Sequence, residues 1–242
     1  MHVRRAFAPL TCLIAAVIAA AAKASTVGLN TIPTTDLVPP RSWIGQIQNG
    51  NVSFQAPSFL AMPDIVAQSQ FSIGTRAEWG VDYIHTPDVI RKQLAFNFKS
   101  LLQNEDQWRP NVAVGVGNIT LSQRPGYFIT FSKTLNYEQQ IRERFKAHHR
   151  RNRKLLGRRV HFGLMLDGHG TLEPFLGTDL QLNDSLVFQA DWINGDGNAV
   201  TAGFAYVLPD QRTVVNPALL YSNSTHRIDG FFLNVGHQFN LK

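Results

Sequence analysis

From Glu78 to the end of the chain, apolar residues recur at every second position, run after run. Trp79, Val81 and Tyr83 alternate with Glu78, Gly80 and Asp82, and Leu94, Phe96 and Phe98 with Ala95, Asn97 and Lys99. The same holds for Val112, Val114 and Val116, for Tyr127, Ile129 and Phe131, and for Val160, Phe162, Leu164 and Leu166. It continues through Leu176, Leu180 and Leu182, then Leu186, Phe188, Ala190 and Trp192, then Val200, Phe204, Tyr206 and Leu208. Successive side chains of a strand point to opposite faces, so each run reads as a strand with one apolar face and one polar or small face. Gly74-Thr75-Arg76, Asn183-Asp184 and Asn194-Gly195-Asp196-Gly197 separate runs with residues that tolerate tight turns. Many antiparallel strands in succession predict an all-β sheet, closed or sandwiched.

The choice between a soluble sandwich and a membrane barrel turns on the second face. It is rich in Gly and Ala and carries Lys99, Arg159, His161, Asp179, Gln189 and Asp191. These six are the candidate lumen-facing residues, because small and hydrogen-bonding side chains suit a barrel interior, where bulky ones would not fit. Trp79, Tyr83, Tyr127, Trp192, Tyr206 and Tyr221 lie near strand ends, where interfacial girdles require aromatics. No apolar run reaches the ~18–20 residues of a spanning helix, whereas strands of ~9–11 residues cross a bilayer when tilted. The expected fold is therefore an antiparallel transmembrane β-barrel of about twelve strands, with ten as the alternative, since single-chain bacterial barrels favour even numbers. The last strand sets Phe231, Leu233, Val235, His237, Phe239 and Leu241 against Asn234, Gly236, Gln238 and Asn240. An alternating, aromatic terminal strand of this kind resembles the C-terminal signature of bacterial outer-membrane proteins.

The ends of the chain add a location. Arg4 and Arg5 precede an apolar, alanine-rich stretch, and Ala22-Lys23-Ala24 fits a signal-peptidase site, so residues 1–24 are expected to be a signal peptide. Residues 25–41 are Thr- and Pro-rich and read as an extended or mobile lead-in to a barrel over 42–242. Trp43 to Phe71 is compatible with two strands or with a plug segment. Cys12 is the only cysteine, so the processed chain would have none, which excludes zinc ribbons, thiol catalysis and redox switching there.

The formal charge of +6 would fall to +3 on processing, and the remaining excess is local. Between Arg142 and Arg159 lie nine Lys or Arg and a single acid, Glu143. Residues 137–157 break the alternation and contain good helix formers, so a long, partly helical basic loop is expected. Its Arg150, Arg151, Arg153 and Lys154 are candidate anion-binding residues for anionic polysaccharide or lipopolysaccharide. The alternative is a solvated loop with no specific partner. Counting strands back from a periplasmic C-terminus puts this loop in the periplasm, against the tendency of long loops to face outwards.

Several strings strengthen the membrane reading. Ile73-Gly74-Thr75-Arg76-Ala77-Glu78-Trp79-Gly80-Val81-Asp82 looks like a turn-and-strand unit of small bacterial outer-membrane barrels. Pro110-Asn111-Val112-Ala113-Val114-Gly115-Val116-Gly117-Asn118-Ile119, Phe128-Ile129-Thr130-Phe131-Ser132-Lys133 and the opening Ile32-Pro33-Thr34-Thr35-Asp36 continue the likeness. The chain most resembles the YjbH-like barrels associated with exopolysaccharide export. The resemblance implies an outer-membrane barrel that is structural, permeation-related or accessory to surface polysaccharide export, and it brings no catalytic motif.

Chemistry is sparse. No G-x-S-x-G, H-E-x-x-H or phosphate-binding loop occurs, so no catalytic residue, metal ligand or cofactor is assigned. His161, His169 and His237, with Ser132, Ser185, Asp167 and Asp191, are the groups a hydrolase would have to use, and no His–Ser pairing is evident from spacing. Residues 191–198 fail as a calcium loop, because Trp192 falls where the first acidic ligand must stand. The sequence thus predicts a non-enzymatic, monomeric outer-membrane barrel surrounded by lipid, with no nucleic-acid partner. An outer-membrane lipid hydrolase and a soluble secreted β-sandwich binding module remain as alternatives.

Overall fold

A computed structural model describes residues 31–49, 52–53, 65–85, 92–120, 125–135, 158–196 and 198–241. Thirteen strands follow in chain order: β1 (Ser42–Asn49), β2 (Val52–Ser53), β3 (Ile65–Ile73), β4 (Ala77–His85), β5 (Lys92–Gln103), β6 (Asn111–Ile119), β7 (Gly126–Leu135), β8 (Arg158–Leu166), β9 (Leu172–Gln181), β10 (Leu186–Ile193), β11 (Ala199–Val207), β12 (Thr213–Ser222) and β13 (Ile228–Asn240). From β3 onward each pairs antiparallel with the next. β1 pairs with β3 on one side and with β13 on the other, Ser42 meeting Asn240 and Gln48 meeting Asn234. That last pairing closes the sheet. β2 resumes the pairing with β13 beyond the end of β1, so the barrel has twelve staves.

Closure leaves two rims. The proximal rim carries Ser42, Asn240 and the turn at Gly74, where φ is +62° and a side chain would be strained. The β5–β6, β7–β8, β9–β10 and β11–β12 connections share that rim. The distal rim carries the others, including the β10–β11 turn expected from Asn194 and Gly195. Leu135 pairs with Arg158 at the proximal rim, so residues 136–157 join strands there, together with the chain's last strand end. The loop itself, with Arg150, Arg151, Arg153 and Lys154, lies outside the described residues, as do residues 1–30.

The outward face is apolar. Leu94 is 56% exposed, Leu176 54% and Phe96 47%, and Phe162, Leu164, Phe204, Leu219, Leu233 and Val235 join them around the barrel. A soluble protein of this size does not leave such a continuous belt bare. Phe239, Trp43, Phe71, Trp79 and Phe98 are register partners on adjacent staves near the proximal rim. The Trp43 ring stacks on Phe239 at 4.1 Å, and Phe71 stacks on Trp79 at 4.8 Å. Tyr83, Tyr127, Trp192 and Tyr221 lie toward the distal rim. Aromatics therefore band both edges of the apolar belt, as a barrel in a bilayer requires.

The interior departs from the expectation that bulky side chains would be excluded. In its distal half Ile32, Phe128, Met165, Phe175 and Ile193 form one apolar cluster, and Ala218, Leu220 and Phe232 form another. Glycines on neighbouring staves make room. A Cβ on Gly115 would stand 2.1 Å from the Phe128 ring, and one on Gly163 would stand 2.4 Å from the Phe175 ring. The proximal half is polar.

Candidate functional site

A barrel of about eight strands is filled by its own side chains, and a wider one encloses space. Here residues 31–38 occupy that space. The chain runs through the lumen from the distal half to the proximal rim, turns at Pro39-Pro40, and enters β1. Ser42 donates back to the Pro39 carbonyl, and Arg41 takes a left-handed φ of 58° to make the corner. Of the lead-in expected over 25–41, residues 25–30 lie outside the described residues, and 31–38 lie inside the barrel with bends at Thr31, Ile32 and Thr35. Trp43 to Phe71, compatible on sequence with two strands or a plug segment, supplies most of β1, all of β2 and most of β3 among its described residues.

The walls grip this segment at successive levels. At the distal end the Thr31 amide and hydroxyl donate to the two oxygens of Asp191 at 2.9 and 2.7 Å, and Thr201 donates to the same carboxylate. Ile32, fully buried, fills the apolar cluster of Phe128, Met165, Phe175 and Ile193. Thr130 donates to the Pro33 carbonyl at 3.0 Å. Lys99, 0% exposed, donates to the Thr34 and Asp36 carbonyls and pairs with Glu78 at 3.1 Å. The other Glu78 oxygen accepts the Val38 amide at 2.7 Å. Asp36 receives both terminal nitrogens of Arg159 at 2.9 Å, a bidentate pair.

A relay joins these anchors. The Thr35 amide donates to Ser132 Oγ at 3.3 Å, and Ser132 lies 2.7 Å from His161 Nδ1. His161 Nε2 lies 3.0 Å from Asp179, which is 3.8 Å from Arg159, the partner of Asp36. Since Asp179 accepts from Nε2–H, Nδ1 of a neutral ring accepts from the Ser132 hydroxyl. The chain of contacts thus starts on the segment at Thr35 and returns to it at Asp36.

The six candidate lumen residues all stand on the inner face. Lys99, Arg159 and Asp191 touch the segment directly, His161 and Asp179 touch it through the relay, and Gln189 accepts from Asn216 at 2.7 Å. Sequence reading missed Glu78, Thr130 and Ser132 as lumen anchors. It also missed that Ser132 and His161 are register partners on β7 and β8, which puts the pair side by side. The acid beyond that histidine is Asp179, not the Asp167 or Asp191 available on sequence grounds. Among the described residues no cluster of His, Cys, Asp and Glu could hold a metal ion.

No family model matches the chain, and no curated protein matches it. Among solved structures the chain is similar to NanC porin, with a TM-score of 0.42 and 10% identity over 83% of this chain and 98% of that one. It is also similar to a triple mutant of Rhodopseudomonas blastica porin, with a TM-score of 0.38 and 10% identity over 73% of this chain. The chain spans about half the length, 55%, of the Rhodopseudomonas blastica porin chains it matches. It is the pairing of β1 with β13, rather than these likenesses, that makes the chain a barrel.

Proposed function

We propose that the protein is a non-enzymatic outer-membrane barrel with a permeation role, closed at rest by its own residues 31–38. The observation that carries this reading is the opposition of the two faces in one closed sheet. The outer face is apolar and aromatic-banded, and the inner face holds buried Lys99, Glu78, His161 and Asp191 around a polar thread. A wall of that kind separates lipid from a hydrophilic path. The segment is part of the chain by its connection to β1, but its grip on the lumen is noncovalent. Passage requires its displacement. In planar bilayers the unmodified protein is expected to conduct little, and Asp36→Ala, which strips Arg159 of its bidentate partner, is expected to raise the open fraction several-fold. Equal conductance of the two proteins would overturn the closed-at-rest reading, and no conductance from either under any voltage would overturn permeation.

The accessory role in polysaccharide export rests on the family resemblance and the basic segment. Replacing Arg150, Arg151, Arg153 and Lys154 with Gln should weaken salt-sensitive binding to anionic glycans; unchanged binding counts against it. Signal-peptide removal after Ala24 is read by the mass of the membrane-inserted protein.

The Ser132–His161–Asp179 arrangement favours a second reading, a hydrolase. The closed lumen argues for the anchoring role instead. Ser132 and His161 are both 0% exposed, and the serine oxygen already accepts the Thr35 amide. An enzyme would show ester hydrolysis in detergent micelles that Ser132→Ala abolishes.

A further inference from the structure

The contacts that hold residues 31–38 fall mainly on the peptide backbone. Asp191 takes the Thr31 amide, Thr130 the Pro33 carbonyl, Lys99 the Thr34 and Asp36 carbonyls, Ser132 the Thr35 amide and Glu78 the Val38 amide. Any peptide that follows the same path, with bends where Thr31, Ile32 and Thr35 stand, offers the same backbone groups. Three positions read side chains: Asp191 accepts the Thr31 hydroxyl, an apolar cluster surrounds Ile32, and the Arg159 fork holds Asp36. We infer that the lumen is a binding site for a polypeptide segment bearing a branched aliphatic residue and, four positions later, a carboxylate. Residues 31–38 are the intramolecular occupant of that site, and a second peptide of the same pattern takes their place when they leave.

Side chains, not a free sheet edge, make most of these bonds, because the barrel has closed on itself. The site is therefore a tunnel with fixed donors and acceptors at successive levels. It discriminates at the charged position, where the guanidinium of Arg159 and a carboxylate form a part-buried bidentate pair. The short tether through Pro39-Pro40 keeps the local concentration of the resident segment in the millimolar range or above, so a free peptide enters only when the resident is weakened.

The test uses the full chain in detergent micelles with a fluorescent synthetic peptide, Thr-Ile-Pro-Thr-Thr-Asp-Leu-Val, read by anisotropy. Saturable binding is expected to a chain carrying Ile32→Ala and Asp36→Ala, and little to the unmodified chain. Replacing the peptide's Asp by Ala, or adding Arg159→Gln to the barrel, should weaken binding about tenfold or more. A scrambled peptide that binds as well, or a folded weakened chain that binds none, overturns the inference. If the weakened chain does not fold, a protease site inserted between Pro40 and Arg41 frees the segment in an otherwise unmodified barrel. Exchange of labelled peptide for the cut segment then supports the inference, and departure of the segment without uptake of peptide overturns it. The readout involves no conductance, so a barrel that binds peptide but passes no ions fails the permeation reading alone.

Discussion

Among the described residues Lys99 and Glu78 are the most buried ion pair, at 0% and 1% side-chain exposure. Neither belongs in an apolar environment alone, and each is satisfied by the other and by backbone groups of residues 34–38. Removing one charge should therefore hurt more than removing both. Lys99→Met leaves the Glu78 carboxylate and two carbonyls without their donor, and should destabilise the barrel by about 3–5 kcal/mol in urea unfolding from lipid vesicles. Lys99→Met with Glu78→Gln should cost clearly less, since the Gln carbonyl still accepts the Val38 amide. A double variant as unstable as the single one would show that the pair does not act as a unit. The inward placement of Lys99 was legible from alternation. Its partner was not, because Glu78 and Lys99 meet only through the β4–β5 register.

At the scale of elements, the strands from β4 to β11 and the last strand announced themselves; β1 to β3, β12 and the lumen segment did not. A strand half-buried in a sheet imposes a period of two, which a single sequence displays. Residues 31–38 are held one by one by side chains of β4, β5, β7, β8 and β10, so no period of two results, and their polar Thr and Asp read as a linker. Thr31 finds its partner 160 residues away and Arg159 reaches Asp36 across 123, separations that carry no local signal. The same blindness hid the relay: Ser132, His161 and Asp179 each stood on an inward face, but only the staggering of β7, β8 and β9 brings them into line. The segment's departure can be followed chemically, because the chain has no cysteine beyond Cys12. Thr130 is fully buried under Pro33. A Thr130→Cys thiol should react slowly with a water-soluble maleimide, and roughly tenfold faster or more when Asp36→Ala loosens the segment, as local opening equilibria predict. Equal rates would mean that the segment is held without the Arg159 fork.

For the whole molecule, one closed sheet explains both the exposed apolar belt and the polar interior. Such a barrel keeps its backbone hydrogen bonds in detergent until heated. The folded protein should run differently from the boiled one on a gel, and should fractionate with membranes. A single mobility and a soluble protein would return the β-sandwich to consideration. Strand number and the sense of each face were accessible from sequence, since turns and alternation are local. What filled the lumen was not, because it depends on how wide twelve staves stand apart.

The seam between β1 and β13 joins Ser42 to Asn240, almost the two ends of the described chain, and the Leu241 amide bonds the Arg41 carbonyl beside it. Contacts so distant in sequence are the slowest to form during folding. The residues that cross the lumen immediately precede the stave that closes it. Assembly thus becomes a race between laying the cord and fastening the last seam, and a chain that fastens first must rethread its own end through a finished tube.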